Sequence, residues 1–523
     1  MTAIVLLPLA GALSMFAVPE GGVVQARIHA LVAAVATLVL VAIVVGKFDR
    51  DAGGLQFNDH HTWASGVGLS WDLGVDGISL WLLLLTAVLF LLGIVAGALR
   101  TPERPRAYLA CLLLAECGLL GLFAAGDLVL FYVFWEAMLI PFYFLIGMWG
   151  SRGAGRATLT FVIYTMVGSL LMLVAILATA FVADDITGRL TFDIQALRGV
   201  DFTSTQSTWL FLGFALAFAI KLPLWPFHGW LPGAYGLAPI TVTALLSAVM
   251  SKAGVYGLLR IGLPLFPEGA DRFAIPIGVL ALIGIVYGSL VAWRATTMRL
   301  LVAYSSIAHL GFIVLGIVAF DLQGGQGAVL QMVNHGVVVA AAFIIVGIIT
   351  ARSGHEEVDD VGGLAAGAPR LAGIFLLVTM AALAVPGSNS FVGEFFILTG
   401  VFRQHLWLAV LACIGIVYAA VYMLRLYQTT MNGPPRGAGG RQVEVRAGDS
   451  LLLVPLVLVM LFIALWPASL VGATKASVAR AIAPAQSAAG RPADQIAAPV
   501  PVNPPPDVLP LPGDASTPPA GSP

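Results

Sequence analysis

Charge is what this sequence has least of. Only 10% of its 523 residues are Asp, Glu, Lys or Arg, against 59% hydrophobic, and lysine occurs at just Lys47, Lys221, Lys252 and Lys475. Soluble domains carry roughly 25% charge to keep their surfaces in water, so most of this chain's surface must meet something other than water. A net charge of −1 gives no basic footprint for nucleic acid. Cysteine is scarce too. Cys111, Cys117 and Cys413 all fall in apolar runs, with no C-x-x-C pair and no His-rich cluster. That pattern offers no iron–sulfur, zinc or disulfide framework, and the three read as small buried hydrophobes. No basic stretch opens the chain, so its first apolar run reads as a retained helix rather than a cleaved signal. Gly153-Ala154-Gly155 resembles the start of a dinucleotide fingerprint, but it follows an apolar helix rather than a strand and carries no weight.

Long apolar runs are what the sequence has instead. Stretches of roughly 20 residues, enough to span about 30 Å of hydrocarbon, lie near 2–18, 28–46, 78–99, 107–124, 128–149, 158–182, 208–229, 239–262, 273–293, 299–320, 326–350, 370–400, 405–428 and 450–472. These predict an all-α polytopic membrane protein with about fourteen transmembrane helices, because a helix satisfies its own backbone polar groups in lipid. Barrel strands would alternate over about ten residues. The odd-numbered connections hold Arg27, Arg100, Arg104, Arg106, Arg152, Arg156, Arg294, Arg299, Arg352, Arg370, Arg436, Arg441 and Arg446. The even-numbered ones hold Lys47, Arg50, Arg189, Arg198, Arg272 and Arg403, about half as many. The positive-inside bias puts the odd loops in the cytoplasm and both termini on the outer face. From 481 to 523 the chain turns to Pro, Ala, Gly and Ser, which predicts a disordered tail.

Ionisable residues inside the runs stand out against this background. A lysine at the bilayer centre costs about 2.5–3.5 kcal/mol, and Lys221 and Lys252 sit too far from a helix end to snorkel. Glu116 and Glu136 each lie about ten residues from the turn at Gly126-Asp127, about 15 Å along neighbouring helices. Glu394 follows the Pro386-Gly387-Ser388-Asn389-Ser390 interruption, and His309 and His335 occupy the tenth and eleventh segments. One buried histidine is usually a hydrogen-bonded core residue; among buried lysines and acids these two read as functional. The seventh segment, at Lys221-Leu222-Pro223-Leu224-Trp225-Pro226, and the twelfth, at Pro386 to Ser390, read as broken. Paired breaks in corresponding halves point to a transporter's working site.

One offset, 173 residues, carries Glu136 to His309, Lys221 to Glu394 and Lys252 to Arg425. It moves the fifth, seventh and eighth segments onto the tenth, twelfth and thirteenth. Five helices separate the partners, so the halves are inverted across the membrane. The reading divides the chain into residues 1–106 (helices 1–3), 107–262 (first repeat, helices 4–8), 273–428 (second repeat, helices 9–13), 450–472 (helix 14) and the tail.

Several motifs resemble the antiporter-type subunits of respiratory complex I, the proton-pumping NADH–quinone oxidoreductase. They are Asp76-Gly77-Ile78-Ser79, Phe134-Trp135-Glu136-Ala137-Met138-Leu139-Ile140-Pro141, and the run from Lys221 through Trp230-Leu231-Pro232. Lys252-Ala253-Gly254-Val255-Tyr256-Gly257 and Leu301 through Ser305-Ser306-Ile307-Ala308-His309 complete the set. The resemblance covers nearly everything before the tail and implies fourteen core helices with inverted repeats at helices 4–8 and 9–13. Members of the M type carry glutamate in the broken twelfth helix where others have lysine, so Glu394 favours M. The chain also ends without the L type's long lateral helix. After Pro232 the family commonly continues Asp-Ala-His, whereas this chain reads Gly233-Ala234-Tyr235, which withdraws support for a polar role of that loop.

The resemblance implies a translocase subunit driven by quinone reduction elsewhere in the complex. The buried residues themselves predict that protons pass from Lys221 to Lys252, through His309 and His335, to Glu394, with Glu136 switching Lys221 and with Glu116 and Arg425 as further candidates. It implies neighbours of the L and N types in a bacterial plasma (inner) membrane. FMN, iron–sulfur clusters and quinone are expected in partner subunits, and no cofactor in this chain. A cation/proton antiporter or membrane-bound hydrogenase subunit is the alternative.

Overall fold

The computed structural model describes residues 1–491 apart from 20, 65, 67, 101 and 437–442. Eleven of its helices are long and apolar enough to cross a membrane. Helices α1 (Thr2–Ser14), α2 (Val23–Lys47), α3 (Ser79–Arg100) and α4 (Pro105–Ala124) come first, with a hairpin β1 (Gln56–Ala64) and β2 (Leu69–Val75) between α2 and α3. Then follow α5 (Leu128–Ala137), α6 (Leu139–Trp149), α7 (Ala154–Thr187), the short α8 (Ile194–Leu197), α9 (Ser204–Lys221) and α10 (Leu231–Leu237). The second half holds α11 (Ile240–Leu265), α12 (Pro267–Arg294), α13 (Met298–Val318) and α14 (Leu322–Ser353). The last elements are α15 (Pro369–Ala382), α16 (Asn389–Gln404), α17 (Leu406–Met431), α18 (Ala447–Leu465) and α19 (Ala468–Ala488).

Burial separates the interior from the lipid-facing rim. The apolar window of α11 is 100% buried and those of α13 and α14 are 94% buried, against 39% for α17 and 33% for α18. A membrane helix that is buried all round needs no lipid-facing side, and so can hold charge. The rim does the opposite: α7 exposes Leu170, Val174 and Phe181.

Both predicted breaks are present. Helix α9 stops at Lys221, and the chain turns through Pro223 to Trp230 before α10. Helices α15 and α16 are separated by Leu383 to Ser388, where Ala384 and Gly387 take positive φ. The offset of 173 is not kept by the elements. Starts at Pro105, Leu128, Ala154, Ser204 and Ile240 recur at Pro267, Met298, Leu322, Pro369 and Leu406, displacements of 162 to 170 residues. The order of elements recurs, but residue-for-residue matching through one number does not survive unequal loops. The fifth segment is also divided, by a change of helix at Met138–Leu139 two residues before Pro141.

Two further features differ from expectation. Residues 481–488 are helical, the end of α19; the rest of the predicted tail, 492–523, lies outside the described residues, as does Arg441. The apolar residues Leu470, Ala473, Val478, Ala481, Ile482 and Ala485 form one buried stripe, the 3.6-residue period that lets a helix dock on its side. Its anchors are Ser477 Oγ, which accepts from Gly77 N at 2.9 Å, and Gln486 Nε2, which donates to the Phe320 carbonyl at 2.9 Å. At Gly77 an added Cβ would lie 2.0 Å from the Ala473 carbonyl oxygen. Gly77→Ala is therefore expected to displace α19, lowering the thermal unfolding midpoint of the purified chain by several degrees; an unchanged midpoint would refute that contact.

The hairpin is the second. Its antiparallel register sets His60 opposite Asp72 and His61 opposite Trp71. Ser70 donates to Asp127 Oδ2 through N at 3.3 Å and Oγ at 3.1 Å, while Asp127 Oδ1 accepts from Val129 N and Leu130 N and so caps α5. Burial first, and the Asp193 carboxylate second, push the Asp72 carboxyl up to about 6.

Candidate functional site: a buried line of ionisable groups

Helix α11 does not run as a plain α-helix. Leu246–Met250 and Leu258–Gly262 are π-helical, and Lys252 stands between them. A π turn widens the backbone spiral and recurs at functional positions. Lys252 Nζ donates to the Ser247 carbonyl at 2.6 Å and lies 2.7 Å from His335 Nδ1. The shared proton between those two nitrogens belongs to either side, depending on the charge of the lysine and the tautomer of the ring.

His335, on α14, leaves its Nε2 buried without a hydrogen bond. Its ring centroid is 5.4 Å from that of His309 on α13. A cavity of about 20 Å³ there is lined by both histidines with Ser305, Gln331 and Ser390, room for about one water molecule. His309 Nδ1 lies 3.2 Å from Glu394 Oε1, and Gln331 Nε2 donates to the same oxygen at 3.1 Å. Lys252, His335, His309 and Glu394 thus form one line across α11, α14, α13 and α16. The order corrects the sequence-based path, in which His309 preceded His335.

Close packing holds the far end of this line. An added Cβ on Gly327 would come within 2.8 Å of the Gly393 carbonyl, and one on Gly393 within 2.6 Å of Gln331 Oε1. Small residues let membrane helices approach this closely. Asn389 Nδ2 donates to Asn334 Oδ1 at 3.1 Å and Asn334 Nδ2 to the Asn389 carbonyl at 2.8 Å, fixing the start of α16 beside the break. Gly393→Val is expected to drive Gln331 from Glu394 and to lower the thermal unfolding midpoint of the purified chain by several degrees; an unchanged midpoint would show that the packing is irrelevant.

The other candidates are placed differently. Lys221 is 1% exposed; its Nζ lies 4.8 Å from the Trp135 ring centroid and has no hydrogen bond. Glu136 is its charged neighbour but closes no ion pair with it among the described residues. The end of α9 packs on α11 next to Lys252, since a Cβ on Gly254 would meet the Phe218 carbonyl at 2.4 Å and Leu222 N at 2.9 Å. Glu116 is fully buried, both oxygens without hydrogen bonds. Contacts of Gly118 with Met138 and Gly121 with Phe134 set the helix register, so Glu116 sits about one turn deeper than Glu136. Arg425 is not brought to the line. Its Nη1 bonds to the Trp293 carbonyl, and its Nη2 is 3.8 Å from Asp359 Oδ2 near a helix end.

Sequence reasoning missed Gln331, Asn334, Asn389 and Ser247, polar residues in apolar runs whose lack of charge made them inconspicuous.

A family model described as NADH:quinone oxidoreductase/Mrp antiporter, transmembrane, matches residues 125–419. NADH-quinone oxidoreductase subunit M of Mycobacterium tuberculosis is 38% identical over 500 residues, covering 88% of this chain and 90% of that protein. The chain belongs to this family. The subunit M of Rhodobacter capsulatus is also 38% identical, over 491 residues, with 92% and 95% coverage. Among solved structures, a chain of respiratory complex I from Thermus thermophilus superposes with TM-score 0.84 at 32% identity, covering 93% of this chain and 99% of that one. A chain of the Mrp complex from Dietzia gives TM-score 0.80 at 22% identity, a likeness of fold alone. In this chain the buried line joins residues from both halves of the matched region, and α19 and the hairpin lie outside that region.

Proposed function

We propose that this chain is the M-type proton-translocating subunit of an NADH–quinone oxidoreductase membrane arm, and that protons pass from Lys221 to Lys252, His335, His309 and Glu394. The observation that carries this reading is the chain of close approaches from Lys252 Nζ to Glu394 Oε1, with the two histidine rings 5.4 Å apart between centroids. In general a nearby carboxylate strengthens a lysine's hold on its proton. Motion of Glu136 towards or away from Lys221 would therefore load or release its proton. The driving energy is assigned to quinone reduction in partner subunits. The neighbours are assigned as L- and N-type subunits in the bacterial plasma membrane, with the odd-numbered loops cytoplasmic.

Glu136→Gln keeps the side chain's shape and removes its charge. In the assembled complex, reconstituted in vesicles, NADH-driven pumping is expected to fall at least tenfold. Lys47→Ala, at the exposed end of α2, is expected to leave it intact. Wild-type pumping in Glu136→Gln would reject Glu136 as the switch.

A further inference from the structure

At the foot of the hairpin three metal-ligating side chains converge from separate segments. His60 comes from β1, Asp72 from β2, and Asp193 from the turn into α8. One ligand atom from each lies within 4.8 Å of the other two. His60 Nδ1 and Asp72 Oδ1, a directly opposed cross-strand pair, are 3.7 Å apart, too far for a hydrogen bond. Asp72 is 2% exposed, and its Oδ1 is buried without any hydrogen-bond partner. A buried, unpartnered carboxylate oxygen is costly unless something fills the role. Asp193 spends one oxygen, Oδ1, on the Ala196 amide at 2.7 Å, leaving the other free. Among the described residues no lysine or arginine pairs with Asp72 or Asp193. Asn58, two residues before His60, and the Asp127 carboxylate are further polar neighbours of Asp72.

We propose that His60, Asp72 and Asp193 form a binding site for a divalent transition cation such as Zn²⁺, clamping the hairpin to the segment that precedes α8. One imidazole and two carboxylates are ordinary Zn²⁺ ligands, and three protein ligands leave a fourth position for water. A softer site would need thiolates, and Ca²⁺ or Mg²⁺ would need more oxygen ligands. The cation balances two facing carboxylates. Binding closes the ligand atoms to within about 3.5 Å of each other, the edge of a tetrahedron with 2.0–2.2 Å bonds. The site stands at an aqueous end of the helices, apart from the buried line, and does not depend on it.

The test is calorimetric titration of the full chain in detergent with Zn²⁺. Wild type is expected to bind one equivalent, and His60→Ala and Asp193→Asn each to weaken it at least tenfold. His61→Ala removes the adjacent histidine, which alternation puts on the other face of the strand, and is expected to bind as wild type does. His60 and Asp193 are not fully buried, so neither variant depends on rebuilding the core. Absence of one-equivalent binding, undiminished binding in either variant, or loss with His61→Ala would each overturn the site.

Discussion

Replacing Lys252 by alanine is expected to reduce NADH-driven proton pumping by the assembled complex at least tenfold. The reason is geometric. Lys252 is 0% exposed, and its Nζ is the group within 2.7 Å of His335 Nδ1. A methyl group in its place leaves a gap of several ångströms beside His335 on the fully buried α11, with no ionisable side chain in it to carry a proton. The folded state is not expected to suffer. Removing the lysine takes out a residue that costs about 2.5–3.5 kcal/mol to place in a membrane interior. Pumping is read by quenching of a pH-sensitive dye in vesicles, and assembly by native gel. A pure scaffold predicts assembly and pumping both intact; the relay predicts assembly without pumping.

Glu394→Gln is expected to have an effect of the same size from the other end. Glutamine keeps the volume and still offers an oxygen to Gln331 Nε2, which is 3.1 Å away. It cannot take up and release a proton, and it no longer balances the charge of a protonated His309, 3.2 Å away. The comparison of Glu394→Gln with Gly393→Val therefore separates charge from packing. Pumping should fall at least tenfold in the first and only several-fold in the second, measured in the same vesicles. Equal and small losses would place Glu394 among structural residues.

The members of the line were legible in the sequence because charge inside an apolar run has no bland explanation. Lys252 and Glu394 announce themselves by composition alone. Their order did not, since it depends on how α11, α14, α13 and α16 pack around glycines that carry no pattern on one chain. Arg425 entered through an arithmetic offset, and unequal loop lengths defeat such arithmetic: the elements recur at 162 to 170 residues, not 173. The π stretches around Lys252 leave no sequence mark, as Leu246–Met250 reads like any apolar helix. The hairpin was overlooked because Gln56–Ala64 is short, polar and set between two long spans. Helix α19 was missed for another reason. Its final turns are rich in Ala with one Pro, and that composition hid a regular buried stripe.

The central claim is that protons cross this chain along one contiguous line, and His335 is its narrowest link. His335→Leu fills the same space with an apolar side chain and leaves Lys252 and His309 unconnected. The deciding measurement is the number of protons pumped per NADH oxidised by the purified complex carrying that substitution. The account predicts a ratio clearly below that of the wild-type complex, with assembly unchanged. An unaltered ratio at a normal oxidation rate would contradict it.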